Sequence, residues 1–204
     1  MRIIAGDARR TALEVAPGTS TRPFLEMARG ALFNALGDRI ADAAVLDLYA
    51  GSGALGLEAL SRGAASAVFV EFDPKATAAL KRNIVKCGME RRCRIVRGDV
   101  LHMTAAETRE YDVIFLDPPF PELAEWRPGG RAEPIMRDTG RILASGGSLA
   151  FRLEDGKADT PDWPGLVVQS DRRYGRSRVC RYGKPIASTA TANDSADGVG
   201  GHGT

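Results

Sequence analysis

The chain has 204 residues, which is enough for one α/β domain and too few for a second catalytic or substrate-binding domain. With 44% hydrophobic and 26% charged residues and a formal net charge of +2, it has the composition of a soluble globular protein. Its three cysteines fit no disulfide framework, its two histidines are too few for a zinc cluster, and no segment approaches the roughly 18 apolar residues of a membrane span. We therefore expect a cytoplasmic protein with reduced thiols, without a metal site and without a membrane partner.

Two short segments near the N-terminus, Arg2–Ala5 and Ala12–Val15, predict a β-hairpin. The spacing of apolar residues then predicts a helix over Pro23–Leu36, with Gly37 as its stop. We interpret residues 1–40 as a small hairpin and helix extension that precedes the main domain.

From Val45 onward, short apolar runs alternate with helical patterns, which is typical of a doubly wound parallel sheet. The predicted strands are Val45–Tyr49, Ala67–Glu71, Arg94–Arg97, Tyr111–Leu116, Gly147–Leu153, Leu166–Gln169 and Arg178–Tyr182. The predicted helices are Ala54–Arg62, Pro74–Lys86 and Ala132–Leu143. The sequence therefore predicts an α/β domain over residues 41–185 with a seven-stranded, mostly parallel, Rossmann-like sheet. Residues 186–204 contain no aromatic residue and are predicted to be a disordered tail.

A glycine-rich turn, Gly51–Gly56, follows the first strand of this domain and opens a helix. Glycines let a ligand approach the backbone closely, but the pattern alone does not distinguish NAD from another adenosine compound.

Three acidic residues stand at or near the ends of successive strands and favour an adenosine compound other than NAD. Asp47 lies inside the first strand, where it can hold the cationic amino-acid end of a ligand through loop water or backbone. Glu71 ends the second strand, where it can accept hydrogen bonds from both ribose hydroxyls. Asp99 follows the third strand, where it can accept from an adenine amino group.

The tetrapeptide Asp117-Pro118-Pro119-Phe120 follows the fourth strand. The prolines fix the backbone and remove donors, so the Pro118 carbonyl and the Asp117 carboxylate offer two acceptors to one planar NH₂ group. The ring of Phe120 offers a face on which a heteroaromatic base can stack. This loop suits an exocyclic amine that must present its nitrogen to an electrophile.

These motifs resemble those of class I S-adenosylmethionine-dependent amino methyltransferases, in Asp47–Ala59, Phe69–Asp73, Arg97–Asp99 and Phe115–Phe120. Met1–Gly6, Thr21–Pro23, Arg29 and Ala31–Asn34 narrow the resemblance to the RsmD family of bacterial 16S rRNA guanine-N2 methyltransferases. The resemblance runs from residue 1 to about residue 184.

The resemblance implies S-adenosyl-L-methionine as cofactor and, as substrate, the N2 amine of a guanine flipped out of ribosomal RNA within the small ribosomal subunit. Asp47 and the turn Gly51–Gly53 would hold the methionine, Glu71 the ribose and Asp99 the adenine. The predicted cofactor contacts are Asp47, Tyr49, Ala50, Gly51, Ser52, Gly53, Glu71, Phe72, Asp99, Val100 and Asp117. The predicted catalytic residues are Asp117, Pro118, Pro119 and Phe120.

Basic residues cluster within the first thirty residues, in Arg91–Arg97 and in Arg172–Lys184, which suits a phosphate-bearing partner. We predict that four arginines of the N-terminal extension contact the RNA substrate. These are Arg9, Arg10, Arg22 and Arg29. We expect the protein to act as a monomer.

Other functions stay open on the sequence alone. An adenine-N6 methyltransferase that acts on DNA or on another RNA could use the same tetrapeptide, although the chain leaves no room for the separate target-recognition domain of a DNA enzyme. A nicotinamide-dependent oxidoreductase would share the glycine turn, but hydride transfer does not require the tetrapeptide. A non-catalytic RNA-binding module would not require every predicted site residue. The expected mechanism needs no metal and no covalent intermediate.

Overall fold

A seven-stranded sheet forms the centre of the molecule. The computed structural model describes residues 1–16, 26–119, 126, 129–130, 132–154, 160, 162–175 and 177–185. The strands are β1 Ala44–Leu48, β2 Ser66–Glu71, β3 Cys93–Arg97, β4 Tyr111–Leu116, β5 Leu143–Glu154, β6 Val167–Tyr174 and β7 Ser177–Gly183. Their order is β3-β2-β1-β4-β5-β7-β6. The first five strands are mutually parallel, and β7 pairs antiparallel with both β5 and β6. The predicted α/β fold class is therefore confirmed.

Helices cover both faces of the sheet, as parallel strands require. They are α1 Glu26–Leu36, α2 Ala54–Ser61, α3 Pro74–Lys86, α4 Val100–Ala106 and α5 Glu133–Ile142. Apolar side chains of α1, α2 and α3 pack with one face of the sheet, and those of α4 and α5 pack with the other. Most of the sheet interior, including β1 and β4, is consequently buried.

The chain changes direction across the sheet at β1. It proceeds outward from β1 to β2 and β3, and then returns to place β4 on the other side of β1. This is a topological switch point, and in open α/β sheets ligands bind in the crevice beyond the carboxyl ends of the strands at such a point. The glycine turn follows β1 and the Asp117 loop follows β4, so both predicted site segments lie at this edge.

The N-terminal segment packs on the main domain. Instead of two paired strands it forms a single antiparallel bridge between Arg2 and Ala12, so the predicted hairpin is reduced to one pair of residues. The backbone N–H groups of Ile4 and Ala5 donate to the carboxylate of the fully buried Glu58 at 2.7 and 3.1 Å. Apolar side chains of this segment and of α1 belong to the same core as α2 and the sheet. The extension is thus built into the core of the domain.

Several elements differ in length from those predicted. The helix α4 has no counterpart in the prediction, because seven residues show too little periodicity to be recognised. β5 begins at Leu143, directly after α5, and β6 continues to Tyr174. α1 begins at Glu26 in the described residues, whereas Pro23 and the predicted tail 186–204 lie outside them.

No helix in the described ranges has the length and the hydropathy that a membrane span requires.

Candidate active site

The turn after β1 has the backbone conformation that its glycines allow. Gly51 and Gly53 have φ of +56° and +80°, in the left-handed region that side chains disfavour. Tyr49 also has a positive φ, of +59°, which is uncommon for a residue with a Cβ atom. Strained backbone of this kind is concentrated at functional sites, so Tyr49 marks this turn independently of its glycines.

The glycines of the turn serve two purposes. A Cβ atom on Gly53 would lie 2.4 Å from Leu80, and one on Gly56 would lie 2.3 Å from the ring of Phe69. These two glycines therefore permit close packing of α2. A Cβ atom on Gly51 would meet only the Tyr49 carbonyl at 4.0 Å, so the Gly51 backbone faces open space.

Asp47 is a buried carboxylate that shapes the turn. Its side chain is 1% exposed, and its Oδ2 accepts a hydrogen bond of 2.9 Å from the backbone N–H of Gly56. Burial raises the pKa of Asp47 well above its usual value, the Gly56 hydrogen bond opposes this, and the charges of Asp117 and Glu71 raise it further. Asp47 therefore fixes the backbone at the start of α2.

Glu71 links the ends of two segments. Its Oε2 accepts from the backbone N–H of Gly51 at 2.7 Å, and its Oε1 accepts from that of Asp73 at 2.8 Å. The next residue, Phe72, is 72% exposed, which is unusual for a large apolar side chain and leaves its ring available for stacking. The Glu71 carboxylate therefore connects the turn after β1 with the end of β2.

Asp99 caps the start of α4. Its Oδ1 accepts from the backbone N–H of Leu101 at 2.7 Å, and the adjacent Val100 is buried. The side chain is only half-buried, so the cap leaves part of the carboxylate exposed at the end of β3.

Asn83 is a site residue that the sequence reasoning missed. This fully buried side chain donates to the Ser52 carbonyl and to the Glu14 carbonyl, both at 2.9 Å, and accepts from the Glu14 N–H at 2.8 Å. It therefore fastens the N-terminal segment to the glycine turn. A polar residue on the apolar face of α3 was the available signal.

Asp117 forms an ion pair with Arg152. The Nε of Arg152 donates to Asp117 Oδ1, and the Arg152 side chain is 7% exposed. Burial raises the pKa of Asp117, whereas the Arg152 charge and hydrogen bond lower it. Arg152 was also missed, although a charged residue inside the apolar strand Gly147–Leu153 was a detectable signal.

Aromatic side chains border the same edge. Trp126 is buried and packs edge-on against Tyr49, with ring centroids 6.1 Å apart, and against Phe151 at 5.0 Å. Pro118 is buried and Pro119 is partly buried. Phe120 lies outside the described residues, so its predicted stacking role stays a prediction.

One of the four predicted RNA-contacting arginines is misassigned. Arg29 is fully buried, donates to the Arg2 carbonyl, and lies 3.9 Å from Glu58. The prediction that it contacts RNA is wrong, because its guanidinium does not reach the surface. Arg9 and Arg10 are exposed, and Arg22 lies outside the described residues.

The exposed arginines lie away from the glycine turn. The turn that carries Arg9 and Arg10 contacts Ser61, where the Asp7 and Ala8 N–H groups donate to the Ser61 carbonyl and hydroxyl at 2.9 and 3.0 Å. Ser61 ends α2, whereas the glycine turn precedes that helix. Eight helical residues separate the two positions by about 12 Å.

Several arginines of the other basic clusters are held in contacts within the fold. Arg178 pairs with Asp171, Arg181 donates to the Ala35 carbonyl, and Arg92 donates to the carbonyls of Leu60 and Ala64. A run of basic residues in the sequence is therefore not equivalent to a basic surface.

The charges at this edge suit a cationic ligand. The charges of Asp117 and Glu71 both raise the pKa of Asp47, and Arg152 lowers the pKa of Asp117 against the effect of burial. Within the described part of the chain, no group of three or more His, Cys, Asp or Glu side chains could hold a metal ion. The open face at Gly51 and the acidic surroundings therefore fit a ligand with a positively charged amino-acid end.

Comparison with known proteins reveals relatives along most of the chain. A family model described as "Conserved hypothetical protein 95" matches residues 1–182. The chain is 33% identical over 188 residues to "Putative rRNA methyltransferase YlbH" of Bacillus subtilis, which covers 90% of this chain and 99% of that protein. It is 40% identical over 122 residues to "Ribosomal RNA small subunit methyltransferase D" of Escherichia coli K12, which covers 59% of this chain and 60% of that protein.

Solved structures agree with the observed topology. "Putative methyltransferase yhhF" from Escherichia coli matches with a TM-score of 0.78 and 31% identity, covering 90% of this chain and 97% of that chain. TrmN from Thermus thermophilus matches with a TM-score of 0.64 and 24% identity, covering 78% of this chain and 48% of that chain, and shows the shared fold alone.

Proposed function

Because the chain belongs to the family described as Conserved hypothetical protein 95, the RsmD-type methyltransferases, we propose that it methylates the exocyclic N2 amine of a guanine in 16S ribosomal RNA. The observation that carries this proposal is the placement of Asp117 and Pro118 after β4, next to the acidic edge formed by Asp47 and Glu71. The names of the two curated relatives state methylation of ribosomal RNA and support the substrate class.

S-adenosyl-L-methionine is the cofactor that these residues fit best. When bound, it supplies a sulfonium methyl group that is already electrophilic. The turn Gly51–Gly53 and the buried Asp47 would receive the amino-acid end, Glu71 the ribose, and Asp99 with Phe72 the adenine. We propose Tyr49, Ala50, Ser52 and Val100 as the further cofactor contacts.

The chain's own contribution to the reaction is orientation and charge. The Asp117 carboxylate and the Pro118 carbonyl would each accept one N–H of the amine and hold its nitrogen in line with the methyl group. Orientation of this kind can lower a barrier by about 7–11 kcal/mol. The carboxylate also stabilises the positive charge that develops on the nitrogen during transfer. Phe120 and Pro119 would support the flipped base.

The RNA would be held by exposed basic residues outside the reaction centre. Flipping a base out of its stack costs a few kcal/mol, which contacts with flanking phosphates offset. Arg9, Arg10 and Arg22 are the proposed contacts. An RNA that carries the target base extends well beyond that base, so its flanking phosphates can contact residues about 12 Å from the turn. We propose that the protein acts as a monomer in the cytoplasm on RNA within the small ribosomal subunit.

Tritiated S-adenosyl-L-methionine tests this function directly. The purified protein is incubated with small subunits, large subunits, free 16S RNA and duplex DNA, and the labelled nucleosides are separated. We expect label in N2-methylguanosine from the small subunit or its RNA. Label in N6-methyladenine of DNA, or binding of NADH without binding of S-adenosyl-L-methionine, would contradict the proposal.

A further inference from the structure

We propose that Arg152 is a positioning residue. It binds one oxygen of the Asp117 carboxylate and thereby orients the other oxygen to accept a hydrogen bond from the amine of the target base. This inference rests on the proposed methyl transfer and assigns a role to a residue on β5, 35 positions further along the chain.

The strand register brings the two residues together. β4 and β5 are parallel, and Leu116 pairs with Phe151, so the next residues, Asp117 and Arg152, are neighbours. Arg152 is 6% exposed as a residue, and a charge so deeply buried requires a partner. The Nε donates to Asp117 Oδ1. In the described residues, Oδ2 of Asp117 accepts no hydrogen bond, which leaves one oxygen for a substrate.

The surroundings of Asp117 explain why a cation is needed there. On β1, the buried Asp47 lies close enough to Asp117 for the Asp117 charge to raise the pKa of Asp47, so two carboxyl groups share this part of the sheet edge. Burial raises the pKa of Asp117, and Arg152 is the group that opposes this change. A protonated Asp117 would carry an O–H donor on one oxygen and would have no negative charge. It would therefore be a weaker hydrogen-bond acceptor for the amine.

Three variants separate positioning from general effects of charge. Arg152→Met keeps much of the side-chain length and removes the charge, whereas Arg152→Lys keeps the charge with a different hydrogen-bonding geometry. Arg172→Met is the matched control, because Val179 pairs with both Arg152 and Arg172, which places Arg172 on the outer strand at the same level of the sheet. Arg172 is exposed and removing it takes away the same charge.

The first measurement does not depend on RNA. Carbon-13 NMR of labelled aspartate carboxyl groups gives the titration of Asp117, which is assigned by comparison with Asp117→Asn. We expect the titration to move to higher pH in Arg152→Met, to move less in Arg152→Lys, and to be unchanged in Arg172→Met. Calorimetry should show that all three variants retain the affinity for S-adenosyl-L-methionine.

The second measurement is single-turnover methyl transfer across pH. Below its pKa, the ionised fraction of an acid falls about tenfold for each pH unit. Arg152→Met should therefore lose activity by about tenfold or more at the acid end, with recovery as pH rises, while Arg152→Lys retains an intermediate rate.

Two results would overturn the proposed role of Arg152. An unchanged Asp117 titration in Arg152→Met would overturn the inference, as would an activity loss that is uniform across pH and not rescued by lysine. If Arg152→Met does not fold, the titration in Arg152→Lys decides the question. If the wild-type protein methylates no RNA although its Asp117 titration depends on Arg152, the proposed function fails while Arg152 still controls the carboxylate.

Discussion

The carboxylates at the two halves of the sheet edge are held by different parts of the protein. On the β1–β3 half, Asp47, Glu71 and Asp99 accept hydrogen bonds from backbone N–H groups of the segments that follow β1, β2 and β3, and Glu71 accepts from two of these segments. On the β4–β5 half, Asp117 is paired with the side chain of Arg152 on another strand.

This difference separates two ways of ordering a site. A carboxylate that accepts from backbone N–H groups also fixes the shape of the loop, so its removal should change loop geometry and ligand affinity together. A carboxylate held by a side chain can be altered while the loop backbone stays in place. Cofactor binding and chemistry should therefore be separable by mutation.

The largest expected effect is at Asp117. Asp117→Ala should lower the rate of methyl transfer by about 10²–10³-fold, as loss of an oriented charge-stabilising group does, while S-adenosyl-L-methionine still binds. Removing one partner of a buried ion pair also lowers the free energy of unfolding by about 3–5 kcal/mol. Asp117→Asn is the control for Asp117→Ala, because it removes the charge and preserves the side-chain volume. Calorimetry beside single-turnover kinetics checks this. A loss of cofactor affinity as great as the loss of rate would show that cofactor binding and chemistry are not separable at Asp117.

Glu71→Ala should have the converse effect. Loss of hydrogen bonds to a charged acceptor costs on the order of 1.5–3 kcal/mol, and Gly51 would also lose its partner. We expect cofactor affinity to fall by about ten- to a hundredfold, with a smaller change in the rate at saturation. Glu71→Gln, which keeps an acceptor oxygen, should be intermediate. A rate loss at saturating cofactor with normal affinity would mean that the two halves are not distinct.

Two glycine substitutions test how tightly the β1 half is packed. In Gly56→Ala the new methyl group would lie 2.3 Å from the buried Phe69 ring, and overpacking should lower the free energy of unfolding by about 1–3 kcal/mol. Gly140→Ala, in α5, meets Leu166 at ordinary distances of 3.6–3.9 Å and should stabilise by about 1 kcal/mol. Urea denaturation measures both. Equal stability of the two variants would show that the turn is more adaptable than its packing indicates.

The smallest effect on either half should come from the N-terminal arginines. The triple variant Arg9→Ala, Arg10→Ala, Arg22→Ala should bind S-adenosyl-L-methionine normally and should bind RNA about tenfold or more weakly. The slope of log affinity against log salt concentration should also become less steep, because up to about three fewer phosphates are neutralised. RNA affinity measured across a salt series decides this. Identical slopes and affinities would remove these arginines from the RNA contact.

Much of the fold could be predicted because its signals are local. The helix Pro74–Lys86 was predicted with the bounds it has, since Asp73 caps it and Pro74 occupies its first turn. The strand Tyr111–Leu116 was also predicted as it stands, because a central parallel strand is an almost uninterrupted apolar run. The short helix α4 was not predicted, because seven residues show too little helical periodicity.

The sequence by itself determined which residues the site can use. Glycines that tolerate positive φ, acidic residues at strand ends and paired prolines act through their own backbone or through neighbours in the chain. The tertiary structure decided which charges are available. Arg29 and Arg9 are equivalent in a sequence, yet packing of α1 buries the first, whereas the second is exposed. Likewise, the Asp117–Arg152 pair and the bridge from Asn83 to Ser52 join residues 35 and 31 positions apart. Such contacts depend on strand register and helix packing, which only the folded chain establishes.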